Sequence, residues 1–349
     1  MSLTSREIVI KSLTFEHPER MPRDMWTLPW ACNHFPAQVQ EILDRFPGDF
    51  VEATNVYHNS PREKGDPYAT GVYCDEWGCK FINIQAGVIG EVKEPFLRDL
   101  NDFRMVRPPY EILPDNDTST ARDDVNRFCA GTDKFVNARC CPRPWERYQF
   151  IRGTENSLLD LAMRQPEMEE LLKLIHEFYL KELEFWVSTD VDGIMFMDDW
   201  GAQNRLLISP RLWRELFKPL YKEYCDLAHT HGKFALMHSD GNILSIYEDL
   251  IEIGVDALNS QLFCMDMEEL ATRTKGRITF WGEIDRQHVL ISPDPQEGRD
   301  AVRTVARHLY DPAGGIIAQF ELGAGANPAT AMAIFEEWEI IQEEYQPPC

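Results

Sequence analysis

KFALMHSD (233–240) is a short apolar run that ends on an imidazole and a carboxylate, and helical amphipathic stretches flank it at 210–231 and 243–253. Four more runs repeat the design: GIMFMDD (193–199), ALNSQ (257–261), ITFWGEID (278–285) and GIIAQFE (315–321). Each is followed by a helical stretch, the last three by 267–272, 295–310 and a final helix from Pro328. Strands that are apolar on both faces are covered inside by core and outside by helices, so the five runs read as consecutive βα units of a parallel sheet. Ser209-Pro210 and Asp294-Pro295 supply helix starts, and His231-Gly232 a stop.

Upstream, MPRDMWTL (21–28), FVEATN (50–55) and KFVNARC (134–140) complete a set of eight strands. The reading is a (β/α)8 TIM barrel, one domain over 1–349. Between the second and third strands lies an insertion, 56–133, rich in Pro, Asp and aromatic residues, in which VYCDEWGCKFIN (72–83) and the segment to Val92 alternate as a β-hairpin does. An excursion of this length at a barrel rim predicts a lid.

Composition excludes several classes. With 35 Lys plus Arg against 58 Asp plus Glu, the formal charge of −23 repels nucleic acid and anionic membrane surfaces. No apolar run approaches the roughly 20 residues of a membrane span, and MSLTSREIVIKSLTF (1–15) has no signal-peptide core, so the expectation is a soluble cytoplasmic protein. Nine cysteines, at 32, 74, 79, 129, 140, 141, 225, 264 and 349, have no zinc-ribbon spacing and read as reduced packing thiols.

In a parallel barrel the active site is built from residues at the C-terminal ends of the strands. Taken strand by strand, this gives Trp26, Asn55, Arg139, Asp198 with Asp199, His238 with Asp240, Asn259 with Gln261, Glu283 with Asp285, and Glu321. A single Asp at such a junction is ordinarily a helix cap; polar residues at nearly every strand end are the informative pattern. His238 and Asp240, two apart, point the same way, and with Glu283 and Glu321 they form a set able to hold zinc, manganese or iron. Without a metal, crowding would raise one carboxylate's pKa and suit it to general-acid work. The alternative is a core histidine bonded to a neighbouring acid. Asp198 and Asp199 are adjacent, so one faces the site and the other braces the loop. Gln203 also reaches inward, and Trp26, Trp30, Trp77, Trp145, Trp200, Phe263 and Phe320 are candidate pocket walls for a flat or methoxylated substrate. Asp75-Glu76-Trp77-Gly78 is the insertion's candidate contribution.

MDDWGAQNRLLISPRLWRELFKP (197–219), MHSDGNI (237–243), DALNSQ (256–261) and FWGEIDRQHVL (280–290) resemble the uroporphyrinogen decarboxylase superfamily. The likeness is to its decarboxylase-like branch, which includes corrinoid-dependent methyltransferases. The resemblance implies a TIM barrel, often dimeric. Two subfamily signatures are altered. The arginine-rich N-terminal segment that holds an acidic tetrapyrrole in true decarboxylases reads MPRDMWTLPWACN (21–33) here. The His-x-Cys pair and distant Cys of zinc methyltransferases read His238-x-Asp240 and Gln319-Phe320-Glu321. Oxygen in place of sulfur moves the site towards a harder Lewis acid. The leading expectation is a methyltransferase that passes a methyl group from a small O- or N-methyl substrate to a corrinoid carried by a separate partner protein. In it His238, Asp240 and Glu321 hold a divalent metal, zinc first, Glu283 donates a proton and Asp199 positions substrate, with Trp26, Asn55, Arg139, Asp198, Trp200, Gln203, Asn259, Gln261 and Phe320 as further substrate contacts. The alternatives are a carbon–carbon lyase of the decarboxylase type, for which only Arg23, Arg139 and Arg205 are available as pocket cations, and a non-catalytic binding barrel.

Overall fold

A computed structural model describes residues 2–114 and 119–345; Cys349 lies outside them. Eight parallel strands form the barrel: β1 (Arg23–Thr27), β2 (Phe50–Glu52), β6 (Phe135–Asn137), β7 (Gly193–Met197), β8 (Phe234–Ser239), β9 (Ala257–Ser260), β10 (Thr279–Trp281) and β11 (Ile316–Leu322). Three others, β3 (Gly71–Cys74), β4 (Lys80–Asn83) and β5 (Glu91–Val92), make an antiparallel sheet within the insertion. Around the barrel the order is β1-β11-β10-β9-β8-β7-β6-β2. The seam between β1 and β2 is joined by the Asp49 amide donating to the Arg23 carbonyl (2.9 Å) and the Arg23 amide donating to the Asp49 carboxylate (2.8 Å).

The strands are buried on both faces because their alternate residues enter two different cores. Inward residues Phe135, Leu236, Ala257, Trp281 and Ile317 pack with Val9 and Leu13 of the first helix, Ser5–Leu13. That helix therefore plugs the N-terminal end of the barrel and leaves only the other end open for chemistry. Its start is fixed by a reciprocal cap: the Glu7 amide donates to Thr4 Oγ1 (3.2 Å) and the Thr4 amide to the Glu7 carboxylate (2.7 Å). Inside the barrel Trp281 stacks on Phe50 with ring centroids 5.4 Å apart. Outward residues such as Phe196, Leu258 and Phe320 join the larger core against the surrounding helices.

The helix expected over 210–231 is two helices, Pro210–Leu216 and Lys218–Thr230. Pro219 has no amide hydrogen and its ring clashes with a carbonyl one turn back, so the chain breaks at Phe217. Among the described residues, no helix is long and apolar enough to cross a membrane.

Candidate active site at the open end of the barrel

Strand alternation places Leu236 and His238 inward on β8, with Asp240 following. The His238 ring sets the site's polarity. Its Nδ1 lies 2.5 Å from Asn259 Oδ1, and Asn259 Nδ2 donates to the Trp281 carbonyl at 2.6 Å. With the amide NH2 committed to that carbonyl, Oδ1 must accept, so Nδ1 carries a hydrogen and Nε2 is the nitrogen left to take a proton or a metal. Nε2 faces Asp240 Oδ1 at 3.4 Å and Asp199 Oδ1 at 3.6 Å. One ligand atom from each of Asp199, His238 and Asp240 falls within 4.8 Å of the others. Asp240 Oδ1 is buried without a hydrogen-bond partner. Burial works against the imidazolium, but Asp240 and Asp199 outweigh it and hold the His238 pKa above its ordinary value. Burial likewise raises Asp240, against the pull of His238. Trp26 forms the floor, its ring 5.4 Å from that of His238.

Two glycines bring Asp199 and Asp240 together. The loops after β7 and β8 touch at Gly201 and Gly241, where the Gly201 amide donates to the Asp240 carbonyl (3.0 Å). A Cβ on Gly241 would lie 2.3 Å from the Gly201 backbone, and Gly241 has φ +75°. A side chain there would push the two carboxylates apart.

Glu283, only 2% exposed, ends the next strand but one. Its Oε2 has no partner, and Arg286 Nη1 stands 3.6 Å from Oε1. Burial pushes its pKa up to about 7, with Arg286 opposing and Asp240 adding to the rise. Arg286 also bonds to Asp240 and, at 3.1 Å, to Glu321. The close-set group differs from the expected His238, Asp240 and Glu321: Asp199, His238 and Asp240 come together, while Glu321 lies outside that group and shares Arg286 with Asp240.

Other expected contacts are displaced. Asp198 is fully buried and turned outward, accepting the Trp145 (2.9 Å) and Glu146 (2.7 Å) amides at a helix N-terminus and the Tyr221 hydroxyl (2.6 Å). Burial and Glu146 drive its pKa well above the carboxylate range. It is the bracing member of the Asp198-Asp199 pair. Trp200 is sealed against Trp145 (5.3 Å, stacked) and Phe217 (4.5 Å), and Phe320 faces away from the barrel axis onto Phe335 (4.8 Å). None of these three reaches the site. Trp30 is stacked on His34, 4.1 Å between centroids. Asn259 acts through His238, while Gln261 accepts the Gly241 amide at 2.9 Å. Asn55 is exposed and accepts the Tyr57 amide at 3.0 Å. Gln203, Gln261 and Phe263 line a narrow recess with Glu283, Asp285 and Arg286.

The insertion covers the β2–β7 side of the rim. Beneath it lies a cavity of about 630 Å³, lined by lid residues including Tyr73, Asp75, Glu76, Trp77 and Phe81, and by Arg139, Arg143, Glu146, Tyr179, Glu182 and Met197 from the barrel side. Met197 is the register partner of His238, so the cavity abuts the acid–imidazole cluster. Arg147 locks the lid down: buried, it pairs with Asp75 and, at 3.2 Å, with Glu76. Arg139 lies on the cavity rim, paired with Glu52 at 3.2 Å. Arg143, Glu146, Arg147, Glu182 and Arg286 are site residues that strand-end reasoning missed, since none sits at a strand terminus. Buried polar atoms without partners ring the mouth: Asn137 Oδ1, Glu146 Oε2, Glu182 Oε2, Asp240 Oδ1, Glu283 Oε2 and both polar atoms of the Gln319 side chain. Such groups are costly in a finished core unless water, an ion or a ligand completes their bonding.

Residues 76–337, well over half the chain, match the family model described as uroporphyrinogen decarboxylase (URO-D). Among solved structures, a methyltransferase from Methanosarcina mazei is similar at 14% identity, over 99% of this chain and 100% of that one, with a TM-score of 0.66. An endo-β-1,4-xylanase from Gloeophyllum trabeum aligns at 10% identity over 95% of this chain and 98% of its own, but a TM-score of 0.43 carries no argument. A comparison with curated proteins by sequence found no match. The eight-stranded barrel is thus common to this chain and the methyltransferase, and by its family match the chain belongs to the uroporphyrinogen decarboxylase family.

Proposed function

We propose that this barrel is a methyltransferase that takes a methyl group from a small O- or N-methyl substrate and delivers it to a corrinoid held by a separate protein. The observation that carries the reading is the pairing of a neutral-poised buried acid, Glu283, with a histidine whose Nε2 is turned to two carboxylates. An ether oxygen is a poor leaving group. As the methyl–oxygen bond breaks, its electron pair stays on oxygen, and that oxygen needs a proton. Glu283, neutral up to a pH of about 7, is the donor.

Asp199, His238 and Asp240 fit a divalent metal by two tests. Asp240 Oδ1 is a buried acceptor with nothing bonded to it, and His238 carries the backing hydrogen bond, Nδ1 to Asn259, that orients metal-binding imidazoles. One nitrogen and two oxygen donors suit zinc at an open three-ligand position. When bound, such an ion supplies Lewis-acid polarisation of the leaving atom. The chain's own residues do the rest: Trp26 floors the site, Glu283 delivers the proton, and the Arg147 clamp holds the lid against bulk water. A decarboxylase reading would want cations free to meet a polycarboxylate, but Arg139, Arg147 and Arg286 are each already paired with acids.

The test combines metal analysis with turnover. Purified protein is expected to hold about one divalent ion per chain, and His238→Ala to lose both the ion and methyl transfer. Undiminished transfer in His238→Ala would refute the assignment.

A further inference from the structure

The lid-covered cavity carries a charge imbalance that methyl transfer alone does not explain. Its walls hold four acids, Asp75, Glu76, Glu146 and Glu182, facing two cations, Arg143 and Arg147, with Arg139 on the rim drawn to Glu52. Arg147 is committed to Asp75 and Glu76. Arg143 reaches Glu146 at 3.9 Å. Glu182 is left over.

Its surroundings orient it for a ligand. The Trp186 indole donates to the Tyr57 hydroxyl (2.8 Å), which donates to Glu182 Oε1 (2.7 Å). That bond holds Oε1, whereas Oε2 is buried without a hydrogen-bond partner; the residue is only 7% exposed and lines the cavity. Tyr57, Tyr73, Trp77, Phe178 and Tyr179 line the same cavity. Aromatic faces and a desolvated carboxylate share one preferred guest, a weakly hydrated cation. Long-range attraction acts in the same sense, because the chain carries a formal charge of −23.

Resting on the methyl-transfer reading, we propose that this cavity is a recognition subsite for an ammonium-type cation on the substrate, with Glu182 as its counter-ion and the aromatic walls as its cage. The reacting methyl group then extends past Met197 towards Asp199 and His238, at the end where the cavity meets the cluster. Burial raises the Glu182 pKa to about 7, and a bound cation would act against that rise by favouring the charged carboxylate.

The experiment is calorimetric titration of the intact protein with choline and with its uncharged carbon isostere, 3,3-dimethylbutan-1-ol. The cation is expected to bind roughly 10- to 30-fold more tightly, as desolvated cation–π contacts and an ion pair require, and Glu182→Gln should erase the difference. Benzoate, titrated into wild-type protein, should bind more weakly than choline and needs no variant to fold. Equal binding of choline and its isostere, tighter binding of benzoate, or an unaltered preference in a folded Glu182→Gln protein would each overturn the subsite. No corrinoid protein or turnover enters the assay. Cation binding without methyl transfer would therefore refute the functional reading alone, and transfer from uncharged ethers without cation binding would refute the subsite alone.

Discussion

Replacing Glu283 by Gln removes the proton while keeping the shape, and its consequences differ in sign for stability and for catalysis. The Glu283 carboxyl is held at about 7 by burial, against an ordinary value near 4.5. In the unfolded chain it ionises from about pH 4, whereas the folded protein retains the proton until about pH 7. The unfolded state therefore binds fewer protons across that window, and stability falls as pH rises through it, by up to about 3 kcal/mol for this group at about 1.4 kcal/mol per unit. Glu283→Gln is thus expected to match wild type near pH 4 and to be more stable at pH 8, read by urea denaturation. Turnover should move oppositely. With a pKa of about 7, roughly half of Glu283 is protonated at pH 7 and roughly one part in a hundred at pH 9, so wild-type transfer from an ether should drop about 50-fold between them. The variant should be about 10²- to 10⁴-fold slower at pH 6 and lose that alkaline fall. A Glu283→Gln enzyme that is stable, fast and still declines above pH 7 would show that another group donates the proton.

Three further outcomes follow from the geometry. Asn259→Leu unpairs both His238 Nδ1 and the Trp281 carbonyl; metal affinity should fall about 10- to 100-fold by competition with a chromogenic chelator, and unchanged affinity would count against the orienting role. Asp75→Ala strips Arg147 of its closest partner and the Trp77 (3.1 Å) and Cys79 (2.7 Å) amides of their acceptor. Breaking a buried pair in this way costs about 3–5 kcal/mol, and hydrogen exchange across 71–92 should accelerate more than in the barrel strands; uniform exchange would dismiss the clamp. Asp24 accepts both the Trp26 (2.8 Å) and Trp281 (3.0 Å) indoles and is pushed to about 7 by burial. Like Glu283 it lowers stability as pH climbs from about 4 to 7, so Asp24→Asn should flatten that slope in denaturation curves, and an unaltered slope would refute the assignment.

The barrel was readable because each strand in the second half is a doubly buried apolar run followed by an amphipathic helix, as a parallel sheet covered on both faces requires, and three further runs upstream bring the count to the eight that close a barrel. The first half was less legible. β2 and β6 are three residues each, and the three helices over 144–187 carry no strand between them to set a period. The break at Phe217 was visible in Pro219, two residues on, though the continuous apolar pattern masked it. The β-structure of the insertion was legible from alternation as far as Val92, but its division into three strands was not, because β5 is two residues long.

Within the site, parity decided more than residue type. Met195 and Met197 face inward on β7, so the next inward position is Asp199, and Asp198 must turn out to cap the helix at Pro144. Counting by twos from the strand would have assigned both. Parity also places Glu321 inward, yet it binds Arg286, a residue of the loop after β10 that no strand-end count reaches. The same holds for Arg147, whose partners Asp75 and Glu76 lie some seventy positions upstream. Ion pairs of this kind depend on how a lid of unpredictable path comes to rest on the barrel. Sequence therefore locates the chemistry, which strand geometry dictates. The counter-charges that decide which acidic oxygens stay free for a ligand depend on tertiary contacts, and those contacts tie Asp75, Glu321 and one oxygen of Asp240 to arginines while leaving Asp240 Oδ1, Glu283 Oε2 and Glu182 Oε2 without a hydrogen-bond partner.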